Sequence, residues 1–332
     1  MKGRRLVLAA LISTLAVTGA GCGEKQDVLT SPPDERIDLA LDFYVNPDHA
    51  GIYVALDRGL FRRAGLDVQP RVPSDPTAPI KEVAAGRADL ALSYEPEVLL
   101  AHEQGLDVIA VAAIVDQPLT SLISLPAAGI AEPSDLRGKT IATAGIPYQS
   151  DYLATILGGA GLTSADVSEV NVGFSLLPAL LGGRADAILG GFLNIEGVDL
   201  AQRGEDPRVI PVSELGVPTY DELVLVAKGS RVSGDPEELR LFISGLAKGT
   251  RAAIADPAAA TAAILAAGEG LDPTLTRAEI DATLPLLARQ RDKPYGYMEG
   301  EEWSTFAGWM TGNGLIGDVP SEDEMFTNEL LP

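Results

Sequence analysis

An α/β fold in two lobes, each a mainly parallel sheet flanked by helices with a cleft between the lobes, is predicted from three observations. Short β-type runs alternate with helical ones. A seven-residue segment occurs twice, 97 residues apart, and two extended runs stand where a chain would cross between lobes.

The alternation begins with an apolar strand over 37–45, helical spacing over 50–63 and a second strand over 67–72. It continues as helix 80–85, strand 89–93, helix 98–103 and strand 107–115. Strands at 140–144, 167–172, 187–190 and 209–212 extend the pattern. Residues 235–289 are mostly helical, with Asp256-Pro257 and Asp272-Pro273 as helix-start signals, and a last helix covers 301–310.

The repeated segment is Gly86-Arg87-Ala88-Asp89-Leu90-Ala91-Leu92, echoed by Gly183-Arg184-Ala185-Asp186-Ala187-Ile188-Leu189. In each copy glycine is placed to cap a helix C-terminus, and the apolar run after it reads as a buried strand. The extended runs are 118–125 and 222–227. They place lobe 1 at 37–123 plus 224–332 and lobe 2 at 124–223. Two crossovers of this kind let a few residues absorb a closing rotation, with a ligand held beyond the C-terminal ends of the strands.

Residues 1–21 read as a signal peptide: Lys2, Arg4 and Arg5, then an apolar run over 6–17 too short to span a bilayer, then Gly19, Ala20 and Gly21. Cys22, the sole cysteine, follows. This ending resembles the lipobox of bacterial lipoproteins, which implies cleavage before Cys22, lipidation of its sulfur and residence on the extracytoplasmic face of the cell membrane. Gly19 departs from the leucine usual there, and an ordinary secretory signal with an incidental cysteine is the plain alternative. Residues 22–36, with Ser31-Pro32-Pro33, read as a flexible tether.

The net charge is −22, and −25 once the three basic residues before Cys22 are set aside. Nucleic acid is therefore a poor partner, because phosphate neutralisation needs clustered Lys and Arg. No cysteine remains for a disulfide or thiolate site. His49 and His102 are the only histidines and show no metal-type spacing. Gly312-Asn313-Gly314-Leu315-Ile316-Gly317 fits a dinucleotide fingerprint by letters alone, but it follows a helix and reads as a loop. No serine elbow or phosphate loop occurs. The sequence calls for no metal and no cofactor.

The stretch Leu41-Asp42-Phe43-Tyr44-Val45-Asn46-Pro47-Asp48-His49-Ala50-Gly51-Ile52-Tyr53 resembles the opening motif of binding proteins for thiamine pyrimidine precursors in ABC importers. Gly59-Leu60-Phe61, Ser93-Tyr94-Glu95-Pro96-Glu97, Pro118-Leu119-Thr120-Ser121, Gly145-Ile146-Pro147, Asn194-Ile195-Glu196-Gly197 and Gly216-Val217-Pro218-Thr219-Tyr220 continue the likeness in order over 37–227. The resemblance implies the two-lobed type II periplasmic-binding-protein fold. It also implies a monomer that hands a heteroaromatic small molecule to a permease and its ATPase.

The candidate ligand-binding residues are Asp42, Phe43, Tyr44, Asn46, His49, Tyr94, Glu95, Thr120, Ser121, Gly145, Tyr148, Glu196 and Tyr220. Phe43, Tyr44, Tyr94 and Tyr148 offer stacking faces. Asp42, Glu95 and Glu196 offer carboxylates for an exocyclic amine or protonated ring nitrogen. Asn46 and His49 add mixed donors and acceptors, and Thr120 and Ser121 add hydroxyls at a crossing. Plain alternatives are Phe43 as core, Asp42 as a turn cap and His49 as a structural hydrogen-bonder. Relatives often carry tryptophan at Phe43.

The rival from another class is a pyrimidine synthase of thiamine biosynthesis with the same fold. Its pyridoxal-phosphate lysine aligns with Ser93, its reactive histidine with Glu97, and its cysteine-rich motif has no counterpart. Riboflavin is the rival ligand. Sulfonate or other anion binders would want Lys or Arg at the cleft, and the candidate segments carry Asp and Glu.

Overall fold

The computed structural model describes residues 35–288 and 292–332. The signal, Cys22 and the tether as far as Asp34 lie outside the described residues. Glu35 and Arg36, expected in the tether, open the first strand instead.

Strand β1 (Glu35–Ala40) leads through a one-turn helix (Pro47–His49) to α1 (Ala50–Asp57) and α2 (Leu60–Arg63). Then come β2 (Leu66–Arg71), α3 (Ala78–Ala84), β3 (Leu90–Ser93), α4 (Glu95–Glu103) and β4 (Ile109–Val115). The middle of the chain gives β5 (Thr120–Ser124), β6 (Thr140–Thr143), α5 (Tyr148–Gly159), β7 (Ser168–Asn171), α6 (Leu176–Leu181), β8 (Ala187–Phe192), α7 (Glu196–Gln202) and β9 (Arg208–Pro211). After β10 (Leu223–Ala227) the chain is helical: α8 (Gly229–Gly234), α9 (Pro236–Ala255), α10 (Pro257–Ala267), α11 (Pro273–Thr283), α12 (Gly300–Gly312) and α13 (Glu322–Met325).

Two five-stranded sheets result, ordered β2-β1-β3-β10-β4 and β7-β6-β8-β5-β9. β10, and β4 at the edge of the first sheet, are buried along their whole length, as their near-continuous apolar runs require. In each sheet one strand runs against its neighbours: β10 in the first and β5 in the second. Each is the strand that arrives from the other half of the chain. The expected lobe boundaries therefore move. Thr120, placed in lobe 1, opens β5 and pairs with Phe192 in the second sheet, and Leu223, placed in lobe 2, pairs with Val115 in the first. An extended run reads alike as strand or as linker, and only its partners distinguish the two.

The echoed segment builds the same joint twice. Gly86 and Gly183 both lie in the left-handed region (φ 67° and 65°) after their helices. The Asp89 carboxylate then accepts the Asp38 backbone N–H of β1 at 2.7 Å, while the Asp89 N–H donates to the Asp38 carbonyl at 2.9 Å. Asp186 does the same with Thr140 of β6, at 2.8 Å in both directions. A side-chain oxygen thus extends the ladder by one bond where β3 or β8 begins.

The Asp-Pro signals mark helix starts as expected. Asp256 accepts from Ala259 N–H, and Asp272 accepts from Thr274 and Leu275 N–H. α9 packs along α1, and α11 packs on both α7 and the one-turn helix, touching both lobes. No helix among the described residues is long and apolar enough to cross a membrane.

Candidate ligand-binding site

A cavity of about 230 Å³ lies between the sheets, at the C-terminal ends of β1, β3, β6 and β8. After β1 the chain turns through Asp42–Pro47, after β3 it enters α4 at Tyr94, after β6 it runs through Ala144–Gln149, and after β8 it reaches α7 at Glu196. Strand ends at a lobe interface present side chains and unpaired backbone to a ligand.

Of the expected residues, Asp42, Phe43, Tyr44, Asn46, Tyr94, Thr120, Tyr148 and Glu196 line this cavity. Asp42 is fully enclosed: Tyr94 Oη donates to its Oδ2 at 2.9 Å, and His49 Nε2 lies 2.8 Å from its Oδ1. His49 Nδ1 accepts the Asn46 N–H at 3.3 Å, so its proton sits on Nε2 and points at Asp42. Tyr94 and Tyr148 meet edge-on with ring centroids 6.1 Å apart, one from each lobe. Burial pushes both phenols well above their ordinary range, so they stay neutral. Phe43 and Tyr44 of the first lobe pack against Phe174 of the second at 4.6 and 4.4 Å, making an aromatic clasp. Tyr44 is 52 % exposed, so this clasp borders solvent.

Asn46 and Thr120 reach the cavity with their polar atoms already engaged. The Asn46 amide caps Asp48 N–H and donates to the Tyr44 carbonyl, and the Thr120 hydroxyl donates to Glu222.

Five expected residues do not line the cavity: His49, Glu95, Ser121, Gly145 and Tyr220. His49 positions Asp42 from behind. Glu95 turns away to accept the Asp221 N–H at 2.7 Å, and burial together with Asp221 lifts its carboxyl well above the usual range. The Ser121 hydroxyl donates to the Leu119 carbonyl, and the Tyr220 hydroxyl donates to Glu222. Gly145 lies at φ 77°, where a Cβ would stand 2.0 Å from the Asn171 side chain.

Lining residues outside the sequence expectation include Gln149, Phe192, Asp199 and, from α11, Leu275, Thr276 and Glu279. Gln149 Oε1 accepts the Ala144 N–H at 2.9 Å, and its amide nitrogen fills the space beside Gly190 (φ 110°), where a Cβ would be 2.3 Å away. The adjacent Tyr148 was the only available signal for it.

The cleft is acidic, and among its described lining residues there is no Lys or Arg. Burial pushes Glu196 up to about 7, although its Oε2 accepts the Phe192 N–H at 2.7 Å. Burial, then the neighbouring Asp42, lifts Asp48 to about 8. Burial, then Asp199, Glu196 and Asp48, lifts Glu279 to about 8. A cation or a good hydrogen-bond donor is the complement of such a wall.

Comparison with known proteins places this geometry. The family model described as NMT1/THI5 like matches residues 46–260. The chain belongs to the NMT1/THI5-like family. A relative is the formylaminopyrimidine-binding protein of Halalkalibacterium halodurans, 32 % identical over 89 % of this chain and 90 % of that protein. Another relative is the 4-amino-5-hydroxymethyl-2-methylpyrimidine phosphate synthase of Aspergillus parasiticus, 27 % identical over 68 % of this chain and 69 % of that one. Among solved structures, the alkanesulfonate-binding protein SsuA from Xanthomonas axonopodis pv. citri, bound to MOPS, superposes with a TM-score of 0.66 at 15 % identity, covering 86 % of this chain and 94 % of that one. That likeness establishes the two-lobed periplasmic-binding-protein fold. The family-model match ends before α11, so Glu279 falls outside it.

Proposed function

We propose that this chain is an extracytoplasmic solute-binding protein that captures an aminopyrimidine precursor of thiamine and delivers it to an ABC importer. The observation that carries the reading is the cleft, where Phe43, Tyr94 and Tyr148 supply ring faces and Asp42 and Glu196 supply acceptors. Acceptors suit the exocyclic amine of an aminopyrimidine, and flat faces suit its ring. The 32 % identity to a formylaminopyrimidine-binding protein supports the same ligand class. Ligand bridging the lobes favours the closed form, which a permease and its ATPase recognise. The protein acts as a monomer held at the membrane by a lipid on Cys22, and a Cys22→Ser chain is expected to leave the membrane fraction.

A synthase role fits poorly. At the positions aligned with the synthase's lysine and histidine, the Ser93 hydroxyl donates to Glu97 at 2.7 Å, both residues buried. A serine has no amine to form a Schiff base with pyridoxal phosphate.

The test is a thermal-shift panel on the full chain with 4-amino-2-methylpyrimidines, thiamine, riboflavin and taurine. Aminopyrimidines are expected to raise the melting temperature. A shift with riboflavin and none with any pyrimidine overturns the ligand. Glu196→Gln keeps an oxygen for the Phe192 N–H, so it is expected to weaken binding tenfold or more without unfolding the protein.

A further inference from the structure

At one side of the cleft, three carboxyls from two helices line the cavity, and a fourth, that of Asp48, lies buried near them. Asp48 comes from the one-turn helix of the first lobe, Glu196 and Asp199 from α7 of the second, and Glu279 from α11, which lies across both. Their needs are met unequally. Asp199 is held by Arg203 through two bonds. Glu196 uses one oxygen on the Phe192 N–H. Asp48 accepts from Asn194 Nδ2 at 2.9 Å with Oδ1, while its buried Oδ2 has no partner. Glu279 is only 8 % exposed and lines the cavity, and among the described residues its carboxyl is surrounded by the acids Asp199, Glu196 and Asp48 with no hydrogen-bond donor on it.

A carboxyl that lines the cavity with no donor of its own points to a donor that arrives with the ligand. A metal ion does not fit the spacing. Among the described residues, the one group of carboxylates close enough to share an ion is Glu35, Asp235 and Glu238, away from the cleft, and Glu238 there is bound by Arg231. Carboxyls spread more widely suit a group that donates in several directions.

We propose that Glu279, with Glu196 opposite, receives a primary ammonium group, so that the preferred cargo is a flat heterocycle bearing a cationic aminomethyl arm. This rests on the aminopyrimidine reading and names the arm that the ring carries. An ammonium offers three donors and a charge that offsets the crowded acids. A hydroxymethyl arm offers one donor. A formylaminomethyl arm offers one N–H and brings a carbonyl oxygen toward carboxylates. A phosphate ester brings negative charge into a wall that has none of the cations needed to hold it.

The test is calorimetric titration of the full chain with four 4-amino-2-methylpyrimidines that differ only in the arm at position 5. Aminomethyl is expected to bind at least tenfold tighter than hydroxymethyl, with formylaminomethyl weaker still and the phosphate ester weakest. Glu279→Gln is expected to shrink the aminomethyl-to-hydroxymethyl ratio below threefold. Equal affinity for these two arms on the unaltered chain overturns the proposal while leaving the aminopyrimidine reading intact. The ranking needs no variant, so it stands even where Glu279→Gln fails to fold. Binding of none of the four overturns both.

Discussion

Glu222 and Thr120, 102 residues apart, join the two crossings between the lobes: one Glu222 oxygen accepts the Thr120 N–H at 2.7 Å and the other accepts its hydroxyl at 2.9 Å. The same carboxylate also accepts the Leu119 N–H and the Tyr220 hydroxyl. Four donors aimed at one buried carboxylate need an acceptor on both oxygens. Glu222→Gln puts an amide donor against at least one of them and is expected to destabilise the fold by about 2–3 kcal/mol. Tyr220→Phe removes a single bond and is expected to cost about 1 kcal/mol. Urea unfolding of both variants measures this, and equal midpoints would contradict it.

Buried carboxyls make the fold favour mild acid. Asp48 and Glu279 stand near 8 and Glu97 and Glu196 near 7, in each case chiefly through burial. In the unfolded chain these groups lose their protons near pH 4. The native state therefore holds more protons between that point and pH 7–8, and its stability falls as pH rises through this window. The ligand-free melting temperature is expected to be several degrees higher at pH 5.5 than at pH 8.5, at constant ionic strength. A flat or rising profile contradicts the burial of these acids.

Asn194 ties the lobes together directly. From the turn before α7, its Nδ2 donates to Asp48 Oδ1 at 2.9 Å and to Thr283 Oγ1 of α11 at 2.8 Å, all three residues buried. Asn194→Ala is expected to shift the ligand-free protein toward an open form, seen as a larger radius of gyration in small-angle scattering. Ligand affinity is expected to fall by about tenfold or less, since closure must then be driven by the ligand alone. An unchanged radius would mean that this bond does not hold the lobes.

Local chemistry made much of the fold legible. Apolar runs gave the strands, Asp-Pro pairs gave the starts of α10 and α11, and the echoed Gly-Arg-Ala-Asp gave two equivalent joints. Tyr94, Tyr148 and Glu196 were legible at the cleft because strand ends are where such folds hold ligands. Their neighbours were harder. Tyr94 faces the cavity while Glu95, the next residue, accepts from Asp221, because consecutive residues at a strand–helix junction point to opposite sides.

By itself, then, the sequence determined two α/β lobes, their order along the chain and an aromatic, acidic character at the strand ends, since each depends on residues close together. Only the tertiary structure decided that β5 and β10 exchange sheets, that α11 closes the cleft, and that Gln149 and Glu279 line it. Those choices depend on contacts such as Asp48 with Asn194, 146 residues apart, and no local pattern encodes which distant donor a buried carboxylate will meet.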